Sequence, residues 1–217
     1  MSINNPQQKR AFWLRHLHQW HWISSALCLV AMLLFAITGF TLNHAADIES
    51  RPQVTRKNLT MPPSLLNQLQ QITTKDTPRN NAQDEQRTLP LSSRTWIAQE
   101  LHIDVSDKIA EWSPEEVYLA LPQPGGDAWL RISLDTGEME YEKTTRGVIA
   151  YLNDLHKGRN TGSIWTWFID LFALVCLIFC LTGLVLLQMH AQQRKSTWPI
   201  VAAGLVIPLI IGLIWMH

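Results

Sequence analysis

The feature that most constrains this chain is a charge-free apolar run from Trp22 to Leu42. As an α-helix it is about 31 Å long, enough to cross the hydrocarbon core of a bilayer. A second run, Ile164 to Leu187, is broken only by Asp170, and a third, Pro199 to Met216, contains Pro208. Neighbouring helices tolerate such a proline within a membrane. Trp13, Trp20, Trp22, Trp165, Trp167, Trp198 and Trp215 cluster near the ends of these runs, where amphipathic indoles favour the membrane interface. A basic start and the pair Ala45-Ala46 resemble a secretion signal, but the first run exceeds the 7–15 apolar residues of such signals. It therefore reads as a retained span.

Composition matters because its averages mislead. Eighteen Lys+Arg balance 18 Asp+Glu, as in an ordinary soluble protein, yet every acid except Asp170 falls between Asp47 and Asp154. Residues 1–21 carry three basic residues and the 188–198 connection two, without acids, whereas 45–162 carries 13 basic residues against 17 acids. Positive loops stay in the cytoplasm. The sequence thus predicts a cytoplasmic N-terminus (1–21), transmembrane helix 1 (22–44), a periplasmic domain (45–162), transmembrane helix 2 (163–188), a cytoplasmic loop (189–198) and transmembrane helix 3 (199–217). The fold class is an α-helical membrane protein with three transmembrane helices and a small periplasmic α+β domain between helices 1 and 2. Disorder and nucleic-acid binding are excluded. Cys28, Cys176 and Cys180 all lie in apolar runs, so no disulfide framework is present, and Cys176 and Cys180 read as packing residues.

Within the large segment, 73–90 is polar and reads as a loop, and Ser92–Leu101 as a short helix with Ser92 or Ser93 near its cap. From Glu116, EVYLALP, AWLRISL and EMEYEK, separated by QPGGD and DTG, read as three antiparallel strands with two turns. Glu138, Glu140 and Glu142 alternate along the last strand. They form a solvated edge or, less simply, a ferric-ion attractor.

The two longer spans repeat one pattern. Helix 1 runs from Leu17-His18 and Trp20-His21-Trp22 to Thr38-Gly39-Phe40-Thr41-Leu42 and His44. Helix 2 follows Leu155-His156 and runs from Trp165-Thr166-Trp167 to Thr182-Gly183-Leu184-Val185-Leu186 and His190. Because the helices are antiparallel, His18, His21 and His190 are expected at the cytoplasmic level and His44 and His156 at the outer level. Imidazoles from facing helices are common axial ligands of haem b, and helix-bundle cores house such sites. Gly39 and Gly183 would admit a flat macrocycle or a close helix. The sites therefore read as one or two haems b, with either His18 or His21 ligating. His16, His102 and His217 have no place in the pattern. His21 and His44 are about 34 Å apart along a helix, far for a single electron hop. Asp170, the one acid in a span, is a candidate proton or metal group within reach of Arg159.

The elements LHQWHW, TGFTLNHA, LNDLHKGRNTG, WTWFIDLFA and LTGLVLLQMH resemble the PepSY-associated transmembrane family of bacterial inner-membrane proteins. The sheet segment is similar to that family's PepSY module. The resemblance implies haem held by histidines of the membrane helices, at His18 or His21, His44, His156 and His190, and ferric or ferrisiderophore reductase activity. Better-known relatives have four spans; this chain has three. The expected function is transfer of electrons across the inner membrane to ferric iron or a ferric chelate, feeding a ferrous iron transporter. The short cytoplasmic segments leave no room for a flavin or nicotinamide domain. The donor is then a flavoprotein, a soluble reductant or quinol, and a homodimer through the third helix is compatible with the pattern. The alternative is a membrane-anchored, non-enzymatic PepSY-type regulator of a periplasmic peptidase or sensor.

Overall fold

The computed structural model describes residues 6–48, 51–75, 86–191 and 194–215. The chain divides into two compact units, Met1–Ala36 with Thr166–His217, and Ile37–Trp165. Along the sequence an apolar helix is followed by a sheet-bearing segment and then two more apolar helices. These are α1 (Pro6–Asn43), α5 (Gly162–His190) and α6 (Thr197–Trp215), each long and apolar enough to span a bilayer.

α1 begins 16 residues before the expected start of the span. Pro6 stands at its first position, where a missing N–H costs nothing, and QQKRAFWLRHLHQW contains no glycine or further proline. Its 38 residues make a rod of about 57 Å, so a basic, Trp-bearing end projects well past a hydrocarbon core of ~30 Å. In the first unit α1 meets α5 through a stacked Phe35–Phe172 pair with centroids 5.0 Å apart. Cys28 is buried, with its Sγ 3.4 Å from the Met32 Sδ one turn along α1. α5 has no buried residue, and α6 has only Thr197. Helices exposed and apolar all round belong in lipid.

The second unit is built on a six-stranded antiparallel sheet of order β1-β6-β5-β4-β3-β2. The three strands expected from residue 116 are β4 (Glu116–Ala120), β5 (Gly126–Ser133) and β6 (Glu138–Thr145). The sheet is twice that size, adding β1 (Gln53–Thr60), β2 (Gln86–Thr88) and β3 (Ile109–Trp112). β1 escapes sequence reading because QVTRKNLT is an almost wholly exposed edge strand that lacks the alternation marking a half-buried one. β2 is three residues long, too short for any period. Of the expected 73–90 loop, 73–75 close α2 (Pro63–Lys75) and 86–88 form β2; residues 76–85 lie outside the described residues.

One face of the sheet is covered by α2 and α3 (Leu91–Leu101), through Leu69 and Ile97 against Val117, Leu119, Leu130, Ile132 and Met139, all essentially buried. This is the two-layer solution for an element with one apolar face. α3 has Pro90 at its cap with no side-chain hydrogen bond; Ser92 and Ser93 follow in its first turn, near the cap as expected, and Ser93 is buried. On the opposite face the acids of β6 are paired across strands. Glu142 accepts from Arg56 at 2.6 Å and Glu140 from Arg131 at 2.9 Å, each directly opposite in register. That face is a salt-bridged surface.

The last element of this unit, α4 (Val148–Lys157), leaves the sheet through Gly147. Gly125, at φ +71, lies so close to α4 that a Cβ there would be 2.7 Å from the Tyr151 Cα. Glycine alone permits both that conformation and that approach. Across the contact, the carboxylate of Asp154 accepts from the Gly125 N–H at 2.8 Å and from Arg159 at 2.9 Å.

Candidate functional site

Each repeated Thr-Gly pair receives a histidine from another helix. In the first unit, Thr182 Oγ1 of α5 donates to the carbonyls of Ile178 (2.7 Å) and Phe179 (3.0 Å), so its only hydrogen is committed. It must therefore accept from His21 Nδ1 of α1 at 3.1 Å. The ring of His21 lies over Gly183, with Cε1 at 3.1 Å from where a Cβ would stand. It also stacks on Phe179, centroids 4.7 Å apart and planes 14° apart. In the second unit, His156 Nδ1 lies 2.7 Å from Thr38 Oγ1, and its Cε1 is 3.4 Å from the Cβ position of Gly39. Sequence alignment of the spans paired His156 with His18; geometry pairs it with His21. Gly183 thus serves His21, and Gly39 serves His156.

The second arrangement depends on α4. Asn153, one turn before His156, accepts from Thr41 at 2.8 Å, and Trp165 donates its indole N–H to the Leu155 carbonyl at 2.9 Å. Asp154 fixes the opposite side of the helix to the sheet. Burial works to raise its pKa. The Arg159 and Gly125 hydrogen bonds and the charges of Arg159 and Arg146 outweigh burial and hold it below the ordinary carboxylate value.

His18, His44 and His190 share a different device. Their Nδ1 atoms lie 2.8, 3.0 and 2.8 Å from the carbonyls of Leu14, Phe40 and Leu186, each four residues earlier. A carbonyl only accepts, so Nδ1 carries the hydrogen and Nε2 of the neutral ring presents a lone pair. Metal-ligating histidines are oriented in this way, by donating the other ring N–H to a carbonyl or similar acceptor. The hydroxyl of Thr182 imposes the same tautomer on His21.

His18 and His190 come from α1 and α5, with ring centres 6.3 Å apart and planes at 86°. Of the two neighbouring histidines on α1, it is His18 whose ring lies near that of His190, while His21 meets Thr182. His44 keeps to its own helix, its ring 4.4 Å from that of Phe40. Asp170 is exposed on α5, and Arg159, considered for it, pairs with Asp154. Among the described residues, no three His, Cys, Asp or Glu side chains converge as a site for a bare metal ion.

Sequence reasoning singled out the histidines and glycines but missed Thr38 and Thr182, the residues that hold two of the rings. Their signal was present, since threonine recurs before glycine in both spans. Asp154 and Asn153 had no local signal, because their importance comes from burial in a contact with distant residues. Among known families, the one described as PepSY_TM-like matches residues 12–217. No curated protein and no solved structure matches the chain.

Proposed function

Because the chain belongs to the PepSY_TM-like family, whose match runs from α1 through α6, we propose that it is an inner-membrane b-type haem protein. On this reading it carries electrons outward to ferric iron or a ferric chelate in the periplasm, so that ferrous iron can enter through a separate transporter. The observation that carries the proposal is the His18–His190 pair, at 6.3 Å and 86°, with both Nδ1 hydrogens committed to backbone carbonyls.

When bound, haem b would supply a one-electron carrier, held by His18 and His190. The chain's own residues supply the rest. His18 and His190 present Nε2; Leu14 and Leu186 fix their tautomers. Gly183, Thr182 and Phe179 seat His21 beside them. His44 and His156 are the candidates for a second haem, with His156 held by Thr38, Gly39 and, through α4, Asp154.

The charge distribution along the chain supports a cytoplasmic N-terminus and a periplasmic sheet. On this reading a flavoprotein, a soluble reductant or quinol delivers the electrons. α6 offers an exposed apolar surface for lipid or a second copy. Proteoliposomes loaded with a membrane-impermeant reductant and supplied externally with ferric chelate test the activity. The expected result is external ferrous iron that depends on His18 and His190. Haem-loaded protein giving no more ferrous iron than empty vesicles contradicts it.

A further inference from the structure

α4 is inside-out. Its two buried residues are the polar Asn153 and Asp154, whereas Val148 (73 %), Ile149 (40 %), Tyr151 (44 %) and Leu152 (38 %) are exposed. At about 100° per residue, Tyr151, Leu155, Val148, Leu152 and Ile149 lie within an arc roughly 160° wide, with His156, two turns beyond Ile149, at its edge. Burying an aliphatic side chain is worth about 1.5–3 kcal/mol, so a helix in water would turn this face towards the sheet. Instead, Asp154 takes the inward position, fixed by Gly125 and Arg159.

The position of α4 identifies what covers the apolar face. Asn153 meets Thr41 and His156 meets Thr38, so moving three residues along α4 matches moving three residues back along α1. α4 therefore descends beside the end of the apolar run that closes at Leu42. Five residues after Lys157 the chain enters the next span at Gly162, where Ile164 is 87 % exposed. A groove of 570 Å³ bordered by Ala45, Ile48, Val148 and Ile149, with Arg51 and Arg146 also in its lining, borders the same face.

We propose that α4 is a lipid-embedded segment that does not cross the membrane. Its Val148–Ile149–Leu152 face lies among headgroups and upper acyl chains of the leaflet at this end of the spans. Lipid on one side and the Asp154 contact on the other hold His156 against Thr38. The proposal does not depend on the haem reading.

Native protein in vesicles containing a phospholipid with a photoactivatable group high on its acyl chain tests this directly. Mass spectrometry is expected to find lipid adducts within Val148–Leu152 as well as on α5 and α6. Adducts on α5 and α6 with none on α4 overturn the proposal. A second arm places a single fluorophore-bearing cysteine at Val148, Leu152 or Asp107 in a chain whose native cysteines are alanine. Spin-labelled lipids are expected to quench the first two positions and spare Asp107. Equal quenching at all three positions overturns the proposal.

Discussion

Replacing each of the two repeated glycines by alanine should have different consequences. At Gly183 a new Cβ would stand 3.1 Å from His21 Cε1, and at Gly39 it would stand 3.4 Å from His156 Cε1. Comfortable carbon contacts begin at about 3.5 Å. Gly39→Ala therefore needs almost no movement and gains the helix propensity of alanine, about 1 kcal/mol. In a chain of this size that corresponds to a Tm rise of roughly 2–4 °C. Gly183→Ala gains the same propensity but must move the His21 ring by about 0.4 Å. That stretches the 3.1 Å bond to Thr182 towards the limit of a useful hydrogen bond, at a cost of about 0.6–1.5 kcal/mol. The two contributions nearly cancel, so Tm should move by no more than about 2 °C while His21 loses its restraint. Thermal unfolding of the purified protein reads the first effect, and nitrogen NMR of labelled histidine reads the tautomer at His21. If Gly183→Ala raises Tm as much as Gly39→Ala and leaves the His21 signals unchanged, the packing argument is wrong.

Thr182→Val keeps the shape but removes the acceptor of His21 Nδ1, and should destabilise by about 0.5–1.5 kcal/mol, measured by denaturation in detergent. Asp154→Ala strands the buried Gly125 N–H and should cost about 2–3 kcal/mol, with loss of hydrogen-exchange protection concentrated in α4. Because folding lowers the pKa of Asp154, its contribution is complete above the ordinary value of 3.8 and fades as pH falls from there through the lowered value. Acid titration of stability should therefore be shallower in Asp154→Asn than in the parent below pH 3.8. Arg56→Ala, which breaks a pair whose arginine side is 68 % exposed, should change stability by under ~1 kcal/mol, measured by the same denaturation.

The parts of this structure that were legible in the sequence are those governed by local pattern. Three apolar runs became three long helices, and the alternation in AWLRISL became β5, whose buried positions alternate with exposed ones. The matched Trp-x-Trp and Thr-Gly elements led to two histidine sites. What was not legible depends on partners distant in sequence. β1 reads as polar because it is an edge strand, and its arginine finds Glu142 only after folding. The choice between His18 and His21 was closed to counting along α1. The partners that distinguish the two, the ring of His190 beside His18 and the hydroxyl of Thr182 at His21, each lie more than 150 residues away. α4 went unread for the opposite reason: its apolar residues lie outside and its acid inside, the reverse of a soluble helix.

The most direct test of the central claim is the reduced-minus-oxidised optical spectrum of the purified protein, compared with His18→Ala, His190→Ala and His21→Ala variants of equal fold content by circular dichroism. The expected result is a haem b spectrum from which one component disappears in either His18→Ala or His190→Ala. In His21→Ala that component should persist with altered band positions. A colourless, well-folded protein, or a spectrum untouched by losing His18 or His190, contradicts the account.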